Sequence, residues 1–418
     1  MYTNVVFEQH ESQARSYCRR YPVIFEKGYN SELYDVDGRR YIDFLAAAGS
    51  MNYGHNNHEI KQAIVDYLSE DNVINMLDMY TTAKAIFLST LDDMILRPRG
   101  LSYKMMCCGP TGTNAVEAAL KLARKNTGRE DVVAFGGAFH GMTLGSLACT
   151  TDRLGRNGAG VHLDSAIHIP YDSTRNIDSL GLLEWMIEDD HSGYEKPAAV
   201  VLETVQAEGG VNVASIDWLK GIREICTRED IIMVVDDIQV GNGRCGDFFS
   251  FERADIRPDI TILSKSISGF GTPMSILLID PRFDTFKPAE HNGTFRGNQL
   301  GFVGGTAGIK FFVGHNIDEL VHQKQDLVKA FLDSKLQAID RRISIRGLGL
   351  IWGVDFTSID PKLALEVVHE CFNKGLILEV AGRHDGVVKI MPPLTIQESV
   401  LEEGLSILTN VINELILN

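Results

Sequence analysis

The chemistry-bearing residues of this chain cluster at the ends of apolar runs. In TILSKSISGFGTPMS (261–275), Lys265 leaves an apolar β-type run and enters a Ser/Gly-rich turn. Apolar surroundings disfavour the charged form of a lysine, and the neutral amine is the form that condenses with an aldehyde. Upstream, IIMVVDDIQVGNGR (231–244) runs five apolar residues into Asp236 and Asp237 and then a glycine-broken loop. That pattern reads as a buried parallel strand with carboxylates at its C-terminal end, where open α/β sheets bind ligands. A pyridine cofactor uses both features: the lysine holds its aldehyde carbon, and a carboxylate keeps its ring nitrogen protonated. Paired acids by themselves also suit a metal or a helix cap, the lesser reading here.

A third element is CCGPTGTNAVEAALKLARKN (107–126). Ala115, Ala118, Ala119, Leu122 and Ala123 recur at helical spacing, so the glycines precede an amphipathic helix, with Thr113 and Asn114 expected at its cap. Free N–H groups and the helix dipole make such a start a phosphate site, with Gly112 and Thr113 as contacts. The run matches neither the Walker lysine pattern nor GxGxxG, which points to a phosphate ester smaller than a nucleotide.

In this order and spacing the three elements resemble the class III pyridoxal-phosphate aminotransferases of fold type I, over nearly the whole chain. The resemblance implies an α/β fold with a large domain built on a mainly parallel sheet flanked by helices, plus a smaller α+β domain. It implies pyridoxal 5'-phosphate as cofactor, Lys265 as the Schiff-base lysine and Asp236 as the partner of the pyridinium nitrogen. Gln239 becomes a donor to the ring hydroxyl, and Ile238 packs on one ring face. In GGAFHGMT (136–143), Phe139 covers the other face with His140 beside it, although Phe139 by itself reads as core packing. In EHNGTFRGN (290–298), Thr294 is expected to reach the phosphate of a neighbouring subunit, which makes the assembly a homodimer or a dimer of dimers with shared sites.

On the substrate side, LETVQAEGG (202–210) resembles the family's segment whose acid pairs with a cation near the C-terminus; here that acid is Glu208. The family's arginine before PPL is replaced by Lys389 in VVKIMPPL, and lysine offers a point charge where arginine grips a carboxylate with two prongs. Arg383 in VAGRHDG is a second candidate for the substrate carboxylate, and Tyr53 in FLAAAGSMNYGHNN (44–57) is also placed at the substrate. This last segment, the 109–125 and 263–271 runs, the 290–298 loop and Lys389 resemble the subgroup that makes L-2,4-diaminobutyrate in ectoine synthesis. The reaction so implied moves an amino group from L-glutamate to C4 of L-aspartate 4-semialdehyde by ping-pong exchange. Action on ornithine, 4-aminobutyrate or a diamine stays open, as does an aminomutase or racemase, which would use the same lysine, aspartate and cradle.

Composition sets bounds on these readings. With 418 residues, 44% hydrophobic and 23% charged, the chain can fill a large core and more than one domain. A formal net charge of −16 repels phosphate backbones and excludes nucleic acid as partner. Seven cysteines without a CxxC pair point to a reducing compartment, and Cys107 and Cys108 read as small buried hydrophobes. No signal-type start or membrane-length apolar run appears, so a cytoplasmic enzyme of small amino acids is expected, with neither membrane nor metal. His55 and His58 lack a matching ligand cluster and read as capping or loop polarity.

The expected segments are 1–54, joined to the small domain through a hairpin at LYDVDGRRYIDF (33–44), then 55–310 as the cofactor domain, then an α+β tail over 311–418. Within the tail, 345–356 reads as one apolar strand.

Overall fold

The computed structural model describes residues 4–172 and 174–417, so residues 1–3 of the first expected segment lie outside the described part. Seven strands form the central sheet: β1 (Lys104–Cys107), β2 (Val132–Phe135), β3 (Ala166–Ile169), β4 (Ala199–Leu202), β5 (Ile232–Asp236), β6 (Ile260–Leu263) and β7 (Ile276–Ile279). Their spatial order is β1-β7-β6-β5-β4-β2-β3, with β7 antiparallel to both neighbours and the remaining pairings parallel. Every residue of β2, β4, β5, β6 and β7 is buried, which explains their near-continuous apolar sequence. Because β4, β5 and β6 run the same way, Glu203, Asp236 and Lys265 all emerge at one edge.

The helix Gly112–Thr127 packs its alanine face on this sheet, with Ala115, Ala118, Ala119 and Leu122 fully buried. Its cap differs from the expected one. Thr111 is the N-cap residue, and Asn114 in the third helical position turns its Oδ1 back to the Thr111 N–H at 3.3 Å. The Thr113 hydroxyl points elsewhere, bonding Thr143 Oγ1 at 2.7 Å and Ser146 Oγ at 2.5 Å. A threonine whose hydroxyl has partners on a neighbouring loop has no need to cap its own helix.

The helix Gln299–Gly314 supports the turn that carries Lys265. A Cβ on Gly305 would stand 2.6 Å from the Ile267 carbonyl oxygen, so the helix and the turn meet backbone to backbone. This helix runs through the boundary expected at residue 310, and it packs on Thr82–Leu91 and His58–Ser69.

Glu32–Asp35 and Arg40–Asp43 form the expected hairpin, closed by a turn in which Gly38 has φ +82 and Asp35 Oδ1 accepts the N–H groups of Asp37 and Arg39. Leu376–Ile377 joins it in parallel, bringing the N-terminal segment and the C-terminal part into one sheet. The stretch at 345–356 is two strands rather than one. Ser344–Leu348 and Ile351–Asp355 pair antiparallel around Gly349 at φ +57, where any larger residue would strike the backbone of Arg244 and Cys245. Arg244 itself is fully buried and donates to the carbonyls of Leu350 and Pro392 and to Asn52 Oδ1, tying three distant segments; burial pulls its guanidinium down to about 9. Among the described residues no helix is long and apolar enough to cross a membrane.

Candidate active site

Asp236 ends β5, and its carboxylate is held from two directions. Oδ2 lies 2.7 Å from His140 Nδ1, and Oδ1 accepts the Ile238 N–H at 3.1 Å. His140 is buried, and although burial works against its charge, Asp236 raises its pKa above the ordinary value. Its role is thus to hold Asp236 from behind. Asp237 points the other way, as alternation along a strand requires. Its Oδ2 accepts the Ser250 N–H at 3.1 Å within a second cluster, and burial pushes its carboxyl up to about 7.

Ile238 connects this carboxylate to the helix start. A Cβ on Gly112 would stand 2.7 Å from Ile238 Cδ1, so glycine lets the first turn of Gly112–Thr127 lie against the loop without displacing the end of that side chain. Phe139 is 40% exposed, and its N–H donates to Glu203 Oε2 at 3.3 Å.

Lys265 follows β6 in a left-handed conformation, φ +52, and this turns its side chain back over the sheet edge. Its Nζ donates to the Ala48 carbonyl at 2.7 Å, and Gln239 Nε2 donates to the same oxygen at 3.0 Å. Ala46, Ala47 and Ala48 are themselves left-handed, with φ of 47, 46 and 55, a costly backbone for alanine. That strain is stabilised by Ser266 Oγ, which bonds the Gly49 carbonyl at 2.8 Å and the Asn52 N–H at 3.1 Å. Burial pulls the Lys265 amine down to about 8, against the opposing pull of Glu208.

Glu208 and Lys389 meet at 2.6 Å between Oε1 and Nζ. Lys389 is buried, yet Glu208 and Glu379 raise its pKa above the ordinary value, while Lys389 and Lys265 hold Glu208 below its own.

A model of the family described as aminotransferase class-III matches residues 13–412. The chain belongs to this family. Diaminobutyrate--2-oxoglutarate transaminases from Sporosarcina pasteurii and Virgibacillus pantothenticus are 46% and 48% identical to it; the alignments cover 98% and 96% of this chain and 97% of each relative. The relative of the same name from Streptomyces coelicolor is 47% identical over 98% of this chain and 97% of its own. Among solved structures, a Bacillus anthracis aminotransferase superposes with a TM-score of 0.87 at 21% identity, covering 98% of this chain and 97% of the other. The taurine:2-oxoglutarate aminotransferase of Bifidobacterium kashiwanohense, in complex with PLP and glutamate, gives 0.87 at 22% identity over 100% and 99%. These likenesses show the type I α/β fold.

For a class III aminotransferase the pocket residues fit pyridoxal phosphate. Among the described residues Gln239 Oε1 is a buried polar atom without a hydrogen-bond partner, the Gly112 start lacks the Cβ that would press on Ile238, and Lys265 is drawn toward its neutral form. One expected role changes sense: the Gln239 amide nitrogen is engaged by Ala48, so the end left for a ring hydroxyl is an acceptor.

Three expected residues do not join the site within one protomer of this aminotransferase. Tyr53 is buried in the main core, edge-on to Phe311 and in contact with Gly308, because its segment turns inward after the left-handed alanines. Arg383 is exposed in a short turn, while Lys389 takes the buried place beside Glu208. Thr294 is exposed and makes no hydrogen bond to Asp236, Lys265 or the helix start among the described residues. His55 pairs with Asp43 at 2.8 Å, and Asn57 rather than His58 caps the helix His58–Ser69.

Two carboxylates escaped the sequence reading. Glu203 follows β4 as Asp236 ends β5, and the same strand-end rule identifies it; burial pushes it up to about 8. Glu379 stands alone in the apolar run LILEV, directly opposite Lys389 in the antiparallel register, with Oε2 3.0 Å from Nζ. A lone acid in such a run signals a buried cation nearby.

Proposed function

We propose that this aminotransferase uses pyridoxal 5'-phosphate to move an amino group between L-glutamate and C4 of L-aspartate 4-semialdehyde, giving L-2,4-diaminobutyrate and 2-oxoglutarate. The observation that carries the reaction class is Lys265, a partly buried amine drawn toward neutrality near Asp236 and the Glu208–Lys389 pair. The substrate assignment is supported by relatives near half identity that share one name over nearly their whole length.

When bound, the cofactor supplies an aldehyde to carry the amino group and a ring to take up the electron pair released at the substrate carbon. In this reading Lys265 would take the proton from that carbon and return it to the carbon on the other side of the amino nitrogen. Asp236, held by His140 and the Ile238 N–H, keeps a proton at the ring nitrogen. The N–H groups of Gly112 and Thr113 bind the phosphate. Ile238 and Phe139 would hold the ring between them, and the Gln239 amide oxygen would accept from its hydroxyl. Lys389 receives the carboxylate of the acid whose amine reacts or whose far end enters the pocket, and Glu208 releases it when an acid arrives.

We infer a homodimer, or a dimer of dimers, in the cytoplasm. Val73, Ile74, Leu77, Met79 and Tyr80 are exposed apolar residues within eight positions, and Phe295 beside Thr294 is 67% exposed. The subgroup resemblance supports ectoine synthesis as the use of the product.

The test is a set of spectral half-reactions with purified holoenzyme and, separately, L-2,4-diaminobutyrate, L-glutamate, ornithine and 4-aminobutyrate. Fast loss of the cofactor's long-wavelength band with the first two supports the assignment. Equal or faster conversion of ornithine or 4-aminobutyrate overturns the substrate, and a protein that retains no pyridoxal phosphate overturns the reaction class.

A further inference from the structure

Lys389 is enclosed by two carboxylates, not one. Glu208 Oε1 approaches its ammonium at 2.6 Å and Glu379 Oε2 at 3.0 Å; Lys389 and Glu379 are buried, while the Glu208 side chain is 29% exposed. Tyr17, from the N-terminal segment, donates its hydroxyl to Glu379 Oε1 at 2.8 Å and so fixes the carboxyl plane. Among the described residues Glu379 Oε2 meets only the Lys389 ammonium, a charge contact at 3.0 Å. Lys265 is a second cation near Glu208 and Glu379, so once its amine is taken up by the cofactor two carboxylates face one ammonium, and the excess acid is unfavourable unless another cation completes it.

We propose that Glu379 is a specificity-determining residue that receives the C2 ammonium of L-2,4-diaminobutyrate while Lys389 receives the carboxylate on the same carbon. This deepens the function proposed above and rests on it. With its C4 amine at the cofactor, diaminobutyrate presents an ammonium and a carboxylate together at its far end. Lys389 and Glu379, cross-strand partners on Val387–Ile390 and Glu379–Ala381, present the complementary pair side by side. Glutamate offers only a carboxylate at its far end, and 4-aminobutyrate is diaminobutyrate without the C2 ammonium. The excess carboxylate therefore favours diaminobutyrate over both, by the kind of charged hydrogen bond that separates ligands strongly when buried.

The experiment compares half-reaction rates of wild-type and Glu379→Gln holoenzyme with diaminobutyrate, 4-aminobutyrate and glutamate. The expected result is a fall of about tenfold or more in the diaminobutyrate-to-4-aminobutyrate rate ratio, with a parallel fall against glutamate. A ratio unchanged within about twofold overturns the inference. Tyr17→Phe, at a half-exposed position, carries the same test if Glu379→Gln does not fold: the ratio is expected to fall about threefold, and no change overturns the role of the Tyr17–Glu379 contact. As a binding readout, diaminobutyrate is expected to raise the melting temperature of Lys265→Ala protein more than 4-aminobutyrate does, and adding Glu379→Gln to remove that difference; its persistence overturns the inference. If wild-type enzyme fails to convert diaminobutyrate at all, the function assignment falls and takes this inference with it, whereas conversion with an insensitive ratio overturns this inference alone.

Discussion

His140 Nδ1 stands 2.7 Å from Asp236 Oδ2 with both side chains buried, so the strand-end carboxylate is oriented by a residue that need not reach the pocket. Losing the carboxylate and losing its holder should therefore differ. Asp236→Asn is expected to lower the transamination rate by about 10²–10⁴-fold, the range for a misplaced proton in general acid–base work. His140→Ala should cost about 10–100-fold, as one hydrogen bond to a charged group, and displace the acid limb of the pH–rate profile. Equal losses in the two variants, with no change in pH profile, would place His140 at the reacting atoms instead.

Lys265 has a folded-state pKa drawn down to about 8, so its reactive neutral form grows as pH rises toward that value and is complete above it. Capture of pyridoxal phosphate by apoenzyme should accelerate by about tenfold per pH unit below 8 and level off beyond. Stopped-flow absorbance from pH 6 to 10 measures this. A plateau reached only above pH 10 would mean that the amine is solvated.

Gly112 marks the closest approach of the helix start to Ile238. Gly112→Ala should raise the cofactor dissociation constant by about tenfold while changing apoprotein stability by under about 1 kcal/mol, since alanine suits a helix and Ile238 Cδ1 can yield. Fluorescence titration with pyridoxal phosphate, beside a melting curve, separates the two effects.

Glu203 predicts a pH-dependent stability. Its folded pKa, about 8, exceeds that of an unfolded glutamate, so the native state binds the extra proton and stability falls as pH rises from about 4.5 to 8. Glu203→Gln removes that slope. Relative to wild type it should gain about 2–3 kcal/mol between pH 6 and pH 9, measured by denaturant unfolding at both values.

Thr294 tests the shared site. Lys265→Ala and Thr294→Ala proteins, unfolded and refolded together, should form mixed dimers in which one of two sites has both residues intact, restoring activity in about a quarter of all sites. Activity no greater than the sum of the parents would place Thr294 outside any partner's site.

Much of this geometry follows from local pattern. The buried runs ending in Asp236 and before Lys265, the alanine face after Gly112 and the AspGly hairpin are periodicities of two and 3.6, which one sequence displays directly. Asp237 could have been set aside on the same grounds, because neighbours in a strand face opposite sides. The border expected at residue 310 falls inside the helix Gln299–Gly314, whose glycines admit neighbouring backbone, a use that composition does not distinguish from a break.

By itself the sequence determined which residue types sit at strand ends and ahead of a helix, because those depend on neighbours within a few positions. Only the tertiary structure decided what these residues meet. The left-handed Ala46–Ala48 backbone contradicts the preference of alanine and exists because Ser266, Lys265 and Gln239 bond its carbonyls and the residues after it. The Lys389–Glu379 contact depends on strand register, and the joining of Lys389 to Glu208 and of Tyr17 to Glu379 spans 181 and 362 residues of chain. Contacts at such separations are set by the packing of whole elements, which no local spacing encodes.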